Sequence, residues 1–261
     1  MKYDIKKIND NIAVCFVYID DIDEKLGNLI EKNFFEIIMG RKNADSIITK
    51  DAFSNALKYI TLKINTKTEN HIVGVIGEFL FHCFMRIEEN SEKFLSLFPT
   101  IGYSNGHQYF YKGFDGCYYA ENQIWVVEVK SAVAVTNLDL DNKQKLKDAS
   151  NQIEKEVSNK NLNRWEEAKK LVVCQLDEQE IIDKELYEKL NIESSNVYNK
   201  LLGSMIILDN GEFDLEYIKG YINDFFDNNV INQKIFALCI RNADYKKIVS
   251  YLEMKFGDQH E

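Results

Sequence analysis

QIWVVEVKS, the run from Gln123 to Ser131, carries the reading of the chain. Its β-branched and aromatic residues predict a strand, and a period of two puts Trp125, Val127 and Val129 on one face and Val126, Glu128 and Lys130 on the other. Two charges therefore share one face of an otherwise apolar strand. Just upstream, Asp115 opens a second extended run, KGFDGCYY. A turn through Glu121 and Asn122 would fold the two runs into a hairpin and set the Asp115 carboxylate beside Glu128. Glu128 and Lys130 alone are the pattern of a half-exposed strand with a surface ion pair. Asp115, joined by Glu78 from another element, turns that pattern into a candidate site.

Working outward, the apolar run through Glu69 to Glu88 predicts a long helix. Glu78 sits there among Val75, Ile76, Phe79, Leu80 and Phe81, where burying an ionised carboxylate is costly unless something pairs with it or coordinates it. Between this helix and the motif strand, Phe98 to Lys130 reads as a meander of strands, with turn signals at Ser104-Asn105-Gly106, Lys112-Gly113 and Ala120-Glu121-Asn122. Beyond the motif, Asn142 to Lys170 predicts a charged helix and Lys170 to Gln175 a short strand. Leu202 to Leu208 and Lys234 to Arg241 predict two more strands, with helices over Phe213 to Phe226 and Ala243 to Phe256. At the start, Ile12 to Asp20 predicts a strand, Leu26 to Gly40 an amphipathic helix, and Ala52 to Ile64 a second helical pattern. Residues 1–64 read as an N-terminal α/β extension packed on a core domain of residues 65–261. The order of elements predicts an α/β fold with a mixed central sheet flanked by helices.

Composition bounds the possibilities. A chain of 261 residues that is 45% hydrophobic can bury a sizeable core, and one proline among so many apolar runs argues against a linker-rich or disordered chain. The five cysteines are scattered, without a CxxC pair, and read as buried thiols in a reducing compartment. The polar start is unlike a signal sequence, and the apolar runs fall short of the roughly 20 residues a membrane span needs. The expected setting is the cytoplasm, without a membrane partner. A net charge of -10 weighs against unaided binding to nucleic acid. The acids are unevenly spread, however: they crowd residues 175–230, whereas Lys and Arg outnumber them over residues 142–170.

The chemistry suggested by the cluster is metal-assisted hydrolysis. Asp115 and Glu128 offer the oxygen ligands that suit Mg²⁺ or Mn²⁺, and the Val129 carbonyl could add another. Lys130 is placed to orient the attacking water and offset charge at a phosphate. Glu78 would complete the site. Glu78 and His82, spaced i and i+4, could instead pair on zinc, but no third nitrogen or sulfur ligand lies nearby. His71 and His107 read as hydrogen-bonded structural histidines. No GxxxxGK[ST] or GxGxxG sequence supports nucleotide binding.

With twelve residues between Asp115 and Glu128 and one between Glu128 and Lys130, following a helix with an internal acid, the arrangement resembles the PD-(D/E)xK nuclease superfamily. The superfamily's proline is replaced by Phe114, so the motif rests on Asp115, Glu128 and Lys130. More narrowly, GVIGEFLFHCFMR (Gly74 to Arg86), KGFDG (Lys112 to Gly116) and WVVEVKSA (Trp125 to Ala132) resemble the HamA family, nuclease subunits of the Hachiman anti-phage system. That resemblance implies a restriction-endonuclease-like fold, a Mg²⁺- or Mn²⁺-dependent deoxyribonuclease, DNA as substrate and a helicase-like partner, HamB. It also permits an acidic subunit, because the partner can hold the DNA. Gln152, on the helix after the motif strand, occupies a place where such enzymes put a residue that contacts DNA or the metal-bound water. Lys143, Lys145 and Lys147 are candidate phosphate contacts, or simply a solvated helix face. Two alternatives stand beside this reading: a non-catalytic adaptor that keeps the fold to bind a helicase, and an RNA-directed nuclease.

Overall fold

The computed structural model describes residues 2–39, 69–86, 95–96, 101–104, 107–110, 114–134, 138–158, 198–209, 213–226 and 233–256, together with single positions and pairs between 169 and 188. Its strands are β1 (Lys2–Asn9), β2 (Ile12–Tyr18), β3 (Leu95–Ser96), β4 (Ile101–Ser104), β5 (His107–Phe110), β6 (Gly116–Ala120), β7 (Gln123–Ala134), β8 (Tyr198–Leu208) and β9 (Gln233–Arg241). Its helices are α1 (Glu24–Met39), α2 (Glu69–Met85), α3 (Leu138–Ser158), α4 (Leu215–Phe226) and α5 (Asn242–Phe256).

Seven strands form one mixed sheet in the order β1-β2-β9-β8-β7-β6-β3, while β4 and β5 pair by themselves as a hairpin. The four central strands, β2, β9, β8 and β7, run parallel, and the antiparallel pairs β1–β2, β7–β6 and β6–β3 lie at the two sides. Parallel neighbours need crossovers: α3 leads from β7 to β8, and α4 from β8 to β9. Helices cover both faces, which is why the central strands are apolar on both sides. On one face, Val127 and Val129 of β7, Met205 of β8 and Leu238 of β9 pack with apolar residues of α1, α2 and α5. On the other, Val126, Leu202 and Ala237 pack with Leu146, Ala149 and Ile153 of α3 and with Ile218 and Ile222 of α4. No helix among the described residues is long and apolar enough to cross a membrane.

One strand is added to the expected set and two expectations change. The polar start KYDIKKIN is a strand, β1, because its backbone pairs with β2 while its side chains alternate between exposed and half-buried. Pairing of β2 with β9 also makes residues 2–18 part of the central sheet rather than a layer packed beside it. Lys169, Lys170, Val172 and Val173 are helical, not a strand. Val172 is buried in the α3-side core and Val173 is exposed, so packing has overridden the β-preference of adjacent valines. The helical pattern over Ala52 to Ile64 lies outside the described residues.

Candidate functional site

β6 is five residues long and β7 twelve, so β6 parts from β7 midway along it. The last paired position at that end is Gly116 opposite Val127, and Asp115, the residue before it, is held against Val127 and Val129, which flank Glu128. The Asp115 N–H donates to the Val127 carbonyl at 3.0 Å, and the Asp115 carboxylate accepts from the Val129 N–H at 2.7 Å. N–H and C=O of one strand residue lie along the same edge, so the Val129 carbonyl points to the Asp115 side. The opposite edge of β7 is taken up by β8 from Ile124 to Ala134.

Glu128 projects toward the α3 layer and is only 2% exposed. The Lys130 ammonium, two residues along the same face and one-third exposed, pairs with Glu128 Oε1, whereas Oε2 is buried and meets no hydrogen-bond partner among the described residues. Burial, reinforced by the Asp115 charge and opposed by Lys130, pushes the Glu128 carboxyl up to about 8; Glu156 also contributes upward. Burial likewise raises Asp115, against the pull of Lys130 and the Val129 N–H. At Lys130 burial opposes the charge, but Glu128, Asp115 and, with the least effect, Glu78 outweigh it and hold the pKa above its ordinary value.

The sequence reading missed Glu156. It lies on the inward stripe of α3 that also carries Leu146, Ala149 and Ile153, is 9% exposed, and accepts a hydrogen bond from Gln152 Nε2 at 2.6 Å. The signal was its place at helical spacing on an apolar stripe, hidden by the many charges of that helix. Gln152 is half-buried beside the site and engaged with Glu156. Lys143 and Lys147 are exposed and Lys145 is half-buried. Lys145 stands about 10 Å along the helix from Gln152, at 1.5 Å per residue.

Glu78 stands apart from Asp115 and Glu128, although its charge still reaches Lys130. Helix α2 packs on the sheet face that bears Val127 and Val129, opposite Glu128, and touches it through Gly77, where a Cβ would lie 2.0 Å from Ser131 Oγ. The next residue, Glu78, is turned about 100° away and is half-buried rather than buried. Among the described residues no three His, Cys, Asp or Glu side chains converge as a ready-made metal cage, so Glu78 does not close one with Asp115 and Glu128. Nor does His82 pair with Glu78 as a zinc ligand. Its ring is buried, with Nδ1 2.6 Å from the Tyr118 hydroxyl and Nε2 3.1 Å from the Asp115 carbonyl oxygen. Burial, aided by the Arg86 charge, lowers its pKa to about 3.

Two buried carboxylates held above their ordinary pKa, an unsatisfied Glu128 Oε2 and a carbonyl on the same edge as Asp115 make a donor set of hard oxygens. Such a set fits Mg²⁺ or Mn²⁺, which need only one or two carboxylates and take remaining oxygens from water or a phosphate. It lacks the sulfur and imidazole that favour zinc.

A family model, that of HamA, matches residues 2–255. No curated protein matches the chain.

Proposed function

The chain belongs to the HamA family of anti-phage defence proteins, and from that membership and the site we propose a metal-dependent deoxyribonuclease of restriction-endonuclease-like fold. It would be the effector subunit of a complex with a helicase, HamB. The observation that carries this reading is the pairing of Asp115 and Glu128, two carboxylates forced together in a mostly buried site that a single lysine only partly neutralises. Asp115, Glu128 and the Val129 carbonyl would hold the ion. When bound, Mg²⁺ or Mn²⁺ supplies charge neutralisation at the phosphate and a more acidic water. Lys130, fixed by Glu128 and open on one side, orients the attacking water and meets the charge that builds on the phosphate oxygens. Glu156, through its effect on Glu128, and Gln152, through Glu156, tune the acids from the α3 side. Lys143, Lys145 and Lys147 extend along α3 toward passing phosphates. A net charge of -10 leaves most of the grip on DNA to the partner.

The same charge favours a second reading, a non-catalytic adaptor that binds the helicase. Purified chain, alone and with its partner, is incubated with plasmid DNA or RNA and Mg²⁺ or Mn²⁺, beside Asp115→Ala and Lys130→Ala. The expected result is DNA cleavage that chelator abolishes and that either substitution reduces by at least about 10³-fold. Cleavage of RNA in preference to DNA would redirect the substrate. No cleavage of either, with partner present, would leave the adaptor as the better account.

A further inference from the structure

We propose that His82 is a positioning residue for the metal site, holding Asp115 in place through its backbone carbonyl; this rests on the metal-dependent reading above. A carbonyl oxygen can only accept, so the 3.1 Å contact requires that His82 Nε2 carry a hydrogen and donate it to Asp115, whatever the charge of the ring. In the neutral ring Nδ1 is then bare, and the Tyr118 hydroxyl donates to it at 2.6 Å. Tyr118 is fully buried on β6, so the chain Tyr118 to His82 to Asp115 ties α2 to the very start of that strand.

Asp115 is gripped at three points. Its N–H is bound to Val127 and its carbonyl to His82, which fixes the peptide planes on both sides of its Cα. Its carboxylate then meets the Val129 N–H. Outside the regular strand pairing, the His82 bond is the contact that replaces the missing ladder partner at this carbonyl. Gly116 independently marks the same fit: a Cβ there would lie 2.6 Å from His82 Cε1, so the ring fills the space where a side chain would stand. His82 does not itself meet the ion in this scheme. Outer partners of this kind typically change metal affinity by about 10- to 100-fold when removed.

The test is Mn²⁺ binding to the full chain by titration calorimetry, with wild type, His82→Leu, His82→Gln and Tyr118→Phe, each checked by thermal unfolding without metal. His82→Gln retains an N–H able to reach the Asp115 carbonyl; His82→Leu does not. The expected result is Mn²⁺ affinity about tenfold or more weaker in His82→Leu, restored to within about threefold by His82→Gln, and a smaller loss in Tyr118→Phe. Folded His82→Leu that binds Mn²⁺ like wild type, or His82→Gln as impaired as His82→Leu, would overturn the proposal. If His82→Leu does not fold, Tyr118→Phe decides, and unchanged affinity there counts against it. Wild type that binds no Mn²⁺, with Asp115→Asn indistinguishable from it, would instead bring down the underlying metal reading.

Discussion

At Glu128, burial and the Asp115 charge push the carboxyl pKa up to about 8, against an ordinary value of 4.5. Between those two values the folded protein keeps a proton that the unfolded chain has released. Stability therefore falls as pH rises from about 4.5 to about 8 and levels off above. Glu128→Gln removes this dependence. We expect it to unfold higher than wild type at pH 8.5, by about 2 kcal/mol or roughly 4–8 °C, with the gap closing toward pH 5. Thermal unfolding across that range checks the sign, and parallel curves for the two proteins would refute it. The same substitution should abolish metal-dependent cleavage. Glu128, Lys130 and Asp115 were legible because strand alternation and a short hairpin turn fix which side chains meet. Glu156 was not, because burial of one acid on a charged helix is decided by what the helix packs against. How closely Glu78 approaches the site was not legible for the related reason that apolar neighbours on every side do not say which way a helix is rotated.

Among elements, the β6–β7 hairpin turns on two residues in the left-handed region, Glu121 at φ 53° and Asn122 at φ 58°. That is the geometry of a tight primed turn, in which asparagine is far more comfortable than glutamate. Glu121 compensates with an ion pair to Lys234 at 2.8 Å, open to solvent on the Glu121 side, a contact of modest value. Glu121→Asn should therefore raise stability by about 0.5 kcal/mol, read from denaturant unfolding, and a clear loss would show that the ion pair matters more than the backbone. The α2–β7 contact makes the opposite test. Alanine normally exceeds glycine in a helix by about 1 kcal/mol, yet the Cβ of Gly77→Ala would meet Ser131 Oγ at 2.0 Å and Ser131 Cβ at 2.8 Å. We expect Gly77→Ala to destabilise by about 2 kcal/mol or more, measured the same way, with Ser131→Ala partly relieving it. The helices and the long strands were readable from their apolar periods. β1 and the segment around Val172 were not, since backbone pairing rescued a polar strand and core packing recruited a valine pair into a helix.

At the scale of the whole molecule, β1 is the outer strand on one side of the sheet and covers β2. Without it, the hydrogen-bonding edge of an apolar strand would be open, and such edges recruit other chains. A protein lacking residues 1–9 should self-associate, which light scattering would register against a monodisperse wild type; unchanged size would mean that the edge is protected in another way. The layering was legible only in part, because no local pattern announces that β2 and β9 are neighbours.

That neighbourhood has a consequence for biosynthesis. Ile12 lies opposite Ile235 and Val17 opposite Ile240, so β2, the second of the described strands, is completed by the last of them, β9. On the ribosome, β2 emerges well before β9 and must wait, one edge bare, until residues 233–241 have been made. Contacts this distant in sequence slow folding and lengthen the time in which a nascent chain can aggregate. Termination after β8 but before residue 233 leaves the central sheet with a gap between β2 and β8. Interrupted synthesis therefore yields a polypeptide whose core is split in two, a target for quality-control proteases rather than a small working fragment.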